Sequence, residues 1–482
     1  MKINLSLNNL EEFLPKHLSA DERVKAKTLF FKKLALKMHR FYGGKTVVMP
    51  RVPVFSADWF SVWYTPGVSA VSTTIRDNSL TSFDLTNRAA KVAVISDGTR
   101  VLGDGDCTPA GGLGVMEGKA LLMKYLGGID ADPVCINSKD NDGKPSAQKI
   151  IDFVKMISPS YGAINLEDIS QPNCYKVLDT LRKECDIPVW HDDAQGTACV
   201  TAAALLNALF LAGKQIENAK IILYGAGAAN STVADFIIKL GANPANIILF
   251  DHNGALHFSR KDIEENKDFY KQWALCKITN PKYLTTEEQA FKGADALIAL
   301  SKQGPNTIKP EWIKLMAGKA IVFACANPVP EIYPQQAKEA GAFITATGRG
   351  DFENQVNNSL CFPGILKGVL LCRAKTISDN MALAAARAIA QYTRDTGLRV
   401  NRILPLMTEI EVYALQAAAV ARAARQEGLA QIEISDEEVY SKAKQDIIAA
   451  QALTEQLTQS GFIKTPPQEI ITQTLEEVLK DL

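Results

Sequence analysis

Residues 221–230, Ile-Ile-Leu-Tyr-Gly-Ala-Gly-Ala-Ala-Asn, decide the fold class. Ile221, Ile222 and Leu223 form a short apolar run of strand type, and Gly225-Ala226-Gly227-Ala228-Ala229-Asn230 turns the chain. Val233, Phe236, Ile237 and Leu240 then mark one face of a helix that stops at Gly241. In this Gly-x-Gly-x-x-Asn the third glycine of the dinucleotide fingerprint is replaced. The first two still permit a tight turn and let a pyrophosphate approach the helix N-terminus, where free N–H groups and the dipole favour negative charge. The next apolar run, 247–250, ends at Asp251, 24 residues after Gly227. An acid there can accept hydrogen bonds from ribose hydroxyls and would repel a 2′-phosphate, which favours NAD over NADP. His252, Arg260 and Lys261 are nearby cations able to offset that repulsion. Further apolar runs at 296–300, 321–324 and 343–346 alternate with helical patterns, so this segment predicts a parallel, doubly wound sheet.

Upstream the alternation continues. Runs at 92–95, 163–166 and 187–190 read as strands, and 117–126 reads as a helix following a glycine-rich loop. The second and third of these strands run straight into Glu167-Asp168 and Asp192-Asp193. Ligands of parallel α/β sheets gather at the carboxyl ends of strands, and carboxylates converging from two strand ends suit Mg²⁺ or Mn²⁺. Acidic doublets after strands also serve as turns and N-caps, and spacing alone favours that reading. His191 beside the second pair reads better as a packed strand-end histidine than as a ligand. Lys119 is expected near the start of its helix, where the dipole together with a nearby metal would lower its pKa toward that of a base. Most helical lysines are simply solvated. Tyr64, in Trp63-Tyr64-Thr65-Pro66-Gly67, has the setting of core or turn packing.

The 482 residues are 47% hydrophobic and 22% charged, ordinary for a globular chain of about three domains. Lys plus Arg and Asp plus Glu both number 53, so no global field holds a polyanion, and small-molecule partners are expected rather than nucleic acid or a membrane. Nine cysteines without a Cys-x-x-Cys pair read as reduced thiols in a cytoplasmic protein. The N-terminus meets two Glu and a Pro before any apolar run of signal length, so no export is expected, and purely apolar stretches fall short of the roughly 20 residues of a membrane span. Ser19 to Glu22 fits a capping box for a helix over 19–44, with Val24, Phe30, Phe31, Leu34 and Met38 as its buried stripe and its lysines as a solvated face. Beyond about 375 the chain is Ala-rich and helical, a region expected to pack on the core or on another subunit.

Eight ordered strings resemble the malic enzyme family in its compact bacterial form. They are SVWYTPGV at 61–68, VISDGTRVLG at 94–103, VMEGKALLMKYLGGID at 115–130, GAINLEDIS at 162–170, IPVWHDDAQGTA at 187–198, YGAGAAN at 224–230, FACANPVPE at 323–331 and TGRGDFENQVNNSLCFPGI at 347–365. The resemblance implies an N-terminal α/β substrate and metal domain over 1–195, a Rossmann-type NAD(P)-binding domain over 196–370 and a helical C-terminal region over 371–482. It implies oxidative decarboxylation of L-malate to pyruvate and CO₂, with reduction of NAD or NADP and help from Mg²⁺ or Mn²⁺, in a homodimer or higher homo-oligomer. By position, Tyr64 would be the general acid, Lys119 the general base and Asp192 the support of that lysine. Glu167, Asp168 and Asp193 would hold the metal, and Arg100, Asn327 and Asn358 would grip substrate carboxylates. Gly225, Gly227, Ala228, Ala229, Asn230, Asp251 and Asn327 would meet the cofactor.

The chain departs from the family pattern at Asp104, Ala194, Gly350 and Glu353, each of which bears on rate or substrate preference. A malolactic-type enzyme, which retains its cofactor and releases lactate, shares nearly the same motifs and would be told apart by net cofactor reduction. A catalytically dead nucleotide-binding protein would lack Tyr64, Lys119 or a metal carboxylate, and all are present.

Overall fold

The computed structural model describes residues 3–101 and 103–482, so Leu102 of the string at 94–103 lies outside the described residues. The chain divides into two compact units, Met1–Met49 with Ala449–Leu482, and Pro50–Ile448.

In the smaller unit the helix Ala20–Tyr42 starts on the expected capping box, Ser19 with Glu22, and ends at Gly43 in the left-handed region. It packs on the helix Gln468–Asp481 through Ala26, Phe30 and Leu34 against Ile471, Leu475 and Val478. The expected stripe needs correction at Phe31, which is exposed. Adjacent helical residues point about 100° apart, so Phe30 and Phe31 cannot share a narrow buried face. Three of the lysines of the polar face are ion-paired, Lys27 with Glu11, Lys33 with Asp481 at 2.7 Å and Lys37 with Glu477 at 2.8 Å.

The larger unit holds two sheets. The first comprises β1 (Lys91–Ser96), β2 (Asp130–Cys135), β3 (Ala163–Leu166) and β4 (Val189–His191), all parallel in the order β2-β1-β3-β4. The second comprises β5 (Ile221–Tyr224), β6 (Ile247–Asp251), β7 (Gly254–Ala255), β8 (Ala296–Ala299), β9 (Ala320–Ala324) and β10 (Ala342–Thr347). Its order is β10-β9-β8-β5-β6-β7. The chain leaves β5 toward β6 on one side and returns to β8 on the other, which puts the switch point of the doubly wound sheet at Gly225. Two strands depart from the sequence reading. β7 is antiparallel to β6, forming an edge hairpin on an otherwise parallel sheet. β2 was not expected, because Asp130-Ala-Asp-Pro-Val-Cys carries a proline and two acids; as an edge strand it tolerates Pro133, which pairs with Val94.

Period-two alternation sends each sheet's two faces into different cores. Val92 and Val94 face one cluster and Ala93 and Ile95 another; Ile221 and Leu223 face the first cluster and Ile222 a third. The shared cluster is built around the helix Thr197–Ala212, buried on nearly all sides, onto which the helices Phe362–Leu371, Asp379–Asp395 and Glu411–Gln426 also converge. With the turn before it, 21 residues from Asp192, this helix is long and apolar enough to cross a membrane by length and composition, although Asp192, Asp193, Gln195 and Asn207 interrupt it, so purely apolar stretches still fall short. Of its apolar 18-residue window, 78% is buried inside the protein, where an all-round apolar helix has neighbours to bury it.

Candidate active site

The acidic pairs end β3 and β4, adjacent parallel strands paired Leu166 to His191, so Glu167 and Asp168 emerge beside Asp192 and Asp193. Ligand oxygens of Glu167, Asp168 and Asp193 lie within 4.8 Å of one another. Asp168 adopts a left-handed φ of 54°, a conformation held by its surroundings: its N–H donates to Asp193 Oδ2 at 2.7 Å and its carbonyl accepts from Arg100 N–H at 3.0 Å. Such a backbone costs roughly 1–3 kcal/mol and gathers at functional sites. Asp192–Gly196 forms a π-type turn that feeds into the helix Thr197–Ala212. A Cβ on Gly196 would collide with Asp192 Oδ1 and stand 3.3 Å from Asn358 Cβ, which places Asn358 beside the cluster.

Lys119 reaches the cluster from the middle of a helix, a correction to its expected place. That helix runs Thr108–Gly127 and takes in much of the glycine-rich loop, so Lys119 lies three turns from its start and beyond the reach of the N-terminal dipole. Its Nζ donates to Asp192 Oδ2 at 2.5 Å, pairs with Glu167 Oε1 at 3.1 Å and lies 4.6 Å over the Phe362 ring. Burial opposes its charge, yet Asp192, Glu167 and Asp193 outweigh burial and hold the ammonium well above the ordinary lysine value. Burial in turn pushes Glu167 and Asp192 upward, with Lys119 pulling both back.

Two supporting residues were missed by the sequence reading. Asn165 Nδ2 donates to Glu167 Oε2 at 3.0 Å, and Trp190 Nε1 donates to Asp192 Oδ1 at 3.0 Å. Each stands two positions before the carboxylate it holds, on the same strand face, so period two was the available signal. His191 is buried, and burial lowers its pKa, in keeping with a packed histidine.

The remaining candidates lie nearer solvent. Arg100 and Asn327 are exposed, and a Cβ on Gly103 would collide with the Asn327 carbonyl, so the two loops abut. Tyr64 is 70% exposed, outside the buried cluster. Asp104 is exposed, so its charge is hydrated; Gly350 and Glu353 are exposed, and Glu353 pairs with Lys338 at 2.9 Å. Ala194 is buried in the π-type turn.

At the end of β5, Gly225 takes φ 98°, and a Cβ there would stand 2.6 Å from the Leu300 carbonyl. Around Gly227, by contrast, the space a Cβ would occupy is open, at the start of the helix Ala228–Lys239. Ala228 and Ala229 open that helix with no bulky side chain. Asn230, a position expected to meet the cofactor, has a fully buried side chain whose Nδ2 donates to the carbonyls of Tyr224 at 3.1 Å and Ile298 at 3.3 Å. Through Nδ2 it ties strand to helix where the fingerprint's third glycine would allow close packing. Glu331, also missed, is fully buried and accepts from Ser301 N at 2.7 Å, Ser301 Oγ at 3.1 Å and Ala326 N at 3.0 Å, joining the loops after β8 and β9.

Two family models match the chain, malic enzyme N-terminal domain over residues 44–182 and malic enzyme NAD binding domain over 194–425. The NAD-dependent malic enzyme of Geobacillus stearothermophilus is 44% identical over 389 residues, 80% of this chain and 78% of that protein. The bifunctional malic/malolactic enzyme of Bacillus subtilis is 39% identical over 412 residues, 85% of this chain and 97% of that protein. The crystal structure of Entamoeba histolytica malic enzyme superposes with a TM-score of 0.98 at 52% identity, covering 100% of this chain and 99% of that one.

Proposed function

The chain belongs to the malic enzyme family, and on that premise we propose a division of labour among its residues for the oxidative decarboxylation of L-malate to pyruvate and CO₂ with reduction of NAD(P). The observation that carries it is the seat of Lys119 between Asp192 and Glu167, with Glu167 also a member of the three-carboxylate cluster.

The residues fit both groups the reaction needs. An all-oxygen, largely buried set of Glu167, Asp168 and Asp193 suits a hard divalent cation such as Mg²⁺ or Mn²⁺. The open space at Gly227 and the helix N-terminus beyond it suit a dinucleotide pyrophosphate. When bound, the cation supplies a Lewis acid for malate oxygens and the nicotinamide supplies the hydride acceptor.

The carboxylates around Lys119 hold it as an ammonium, so it would act as base only after giving up that proton, which neutralisation of Glu167 and Asp193 by a bound cation would favour; the free amine would then take the proton of the 2-hydroxyl, with Asp192 keeping its Nζ aimed. Trp190 and Asn165 fix the carboxylates of Asp192 and Glu167, so neither rotates out of place. Arg100, Asn327 and Asn358 bind the substrate carboxylates at the mouth of the site. Tyr64 returns a proton to C3 after CO₂ departs. In this reading residues 1–195 carry substrate and metal through their part from Pro50 onward, 196–370 the cofactor, and 371–482 helical support, the last stretch from Ala449 being packed with residues 1–49.

The enzyme works as a homodimer or higher homo-oligomer in the cytoplasm. An exposed apolar run including Val54, Phe55, Phe60, Val62 and Tyr64 supports the first statement, and nine free thiols support the second.

The test incubates the protein with L-malate, Mn²⁺ and either NAD or NADP, following reduced cofactor and identifying the acid formed, with and without EDTA. Pyruvate with stoichiometric reduced cofactor, lost on chelation, is expected. Lactate without net reduction would establish the malolactic outcome instead, and turnover surviving thorough chelation would sink the metal assignment. Lys119→Ala is expected to abolish malate oxidation while nucleotide still binds.

A further inference from the structure

Asp251 ends β6, where the fingerprint places the acid that meets the adenosine ribose. Arg260 had the look of a counterweight able to receive a 2′-phosphate. The structure shows that guanidinium fully committed. Nη1 donates to Asp251 Oδ1 at 3.0 Å and lies near the carbonyls of Gly254 and Ala255 at 3.4 and 3.3 Å. Nη2 donates to Asp251 Oδ2 at 2.6 Å and to Asp262 Oδ2 at 2.7 Å, and Nε donates to Asp262 Oδ1 at 2.8 Å. An arginine has five N–H donors, and these contacts occupy all of them.

The acceptors are not equally full. Asp251 Oδ1 also receives the N–H of Asn253 at 2.8 Å, whereas Oδ2 receives Arg260 alone and keeps a lone pair for a ribose hydroxyl. The trio carries two negative charges against one positive. Its neighbour Lys261 is also engaged, with Glu264 at 2.6 Å. The side chain of Asp262 is half exposed while that of Arg260 is 10% exposed, so Asp262 closes the solvent side of the guanidinium. Hydrogen bonding to Arg260 holds Asp262 down at about 2, so it stays charged throughout the neutral range.

We propose that Asp262 is a cofactor-specificity residue: by occupying Nε and one Nη2 donor of Arg260 it denies that guanidinium to a 2′-phosphate, so the chain selects the dinucleotide with a free 2′-hydroxyl. This rests on the reading that a nicotinamide dinucleotide binds at the ends of β5 and β6. A phosphate is met best by a bidentate guanidinium, and here the fork is already filled by carboxylates. Asp251 alone would repel the phosphate; Asp262 also removes the residue that could offset the repulsion.

The test measures dissociation constants of NAD and NADP, without malate, on the full-length wild type and on Asp262→Asn. The wild type is expected to bind NAD more tightly. Asp262→Asn is expected to lower the ratio Kd(NADP)/Kd(NAD) by about tenfold, mostly through NADP, the order expected for removing one charge from a phosphate's surroundings. Asp262→Ser serves if the asparagine variant does not fold. Adding Arg260→Gln to the variant is expected to erase the gain, because the gain runs through the freed guanidinium. An unchanged ratio in both single variants, a fall that survives in the double variant, or a wild type that prefers NADP would each overturn the proposal. A wild type that binds neither nucleotide would instead remove the cofactor reading beneath it.

Discussion

Lys119 and Glu167 share an ion pair, Nζ to Oε1 at 3.1 Å, so the proposed base and a proposed metal ligand are neighbours in one buried network. Asp192 completes it from the far side of the ammonium. Proton transfer and metal binding are therefore coupled through a single carboxylate, and changes in either are expected to register in both.

Asp193 contributes an oxygen to the carboxylate cluster and also receives the Asp168 N–H that holds Asp168 in its left-handed conformation. Asp193→Ala removes a ligand and frees a neighbour. The Mn²⁺ concentration for half-maximal activity is expected to rise at least about tenfold. A titration of activity against Mn²⁺ that matched wild type would dismiss this role.

Among the described residues, Trp190 donates the one side-chain hydrogen bond that Asp192 receives apart from Lys119. Trp190→Phe keeps the ring in its buried place and removes the N–H. A hydrogen bond to a buried charge contributes about 1.5–3 kcal/mol, so kcat is expected to fall roughly 10- to 100-fold while NAD affinity stays within twofold. Loss of both together would mean that the sheet, not the lysine's partner, had been disturbed.

Glu331→Gln keeps the shape of a buried acceptor and removes its charge. Three donors from Ser301 and Ala326 would face a weaker acceptor and a new N–H. A loss of about 1–3 kcal/mol of stability is expected in denaturant titration, with a raised KM for the dinucleotide because the loops after β8 and β9 loosen. A variant with wild-type stability and KM would place this carboxylate outside the site's support.

Asp379 opens the helix Asp379–Asp395 and accepts from Arg182 Nη1 at 3.2 Å and from Lys239, so it ties helices of both sheets' layers. Burial opposes its charge, but Lys239 and Arg182 outweigh burial and hold the carboxyl below its ordinary value. A carboxyl depressed in the folded state adds stability that is fully present above its unfolded value, about 3.9, and is lost as pH falls through the lower folded value. Asp379→Asn is accordingly expected to cost about 1–3 kcal/mol at pH 7, with the difference from wild type shrinking below about pH 4. Equal differences at pH 7 and pH 3 in urea unfolding would contradict it.

What the sequence by itself determined was local. β3 falls at Ala163–Leu166 as its pattern predicts, Ser19 and Glu22 cap their helix, and the turn at Gly225 follows a strand and opens a helix. Each signal spans a few residues, because strand alternation, capping and turn sterics act within a few residues of the chain. Tertiary structure decided the rest. Lys119 meets Asp192 across 73 positions of sequence, β2 is a strand because an edge of β1 was free to pair it, and Asn230 turned inward once β8 came alongside β5. Arg260 is locked by a bidentate fit to two carboxylates that sequence proximity could suggest only as a charge balance. Those outcomes depend on which buried groups must satisfy one another when distant segments are packed, and no local pattern carries that information.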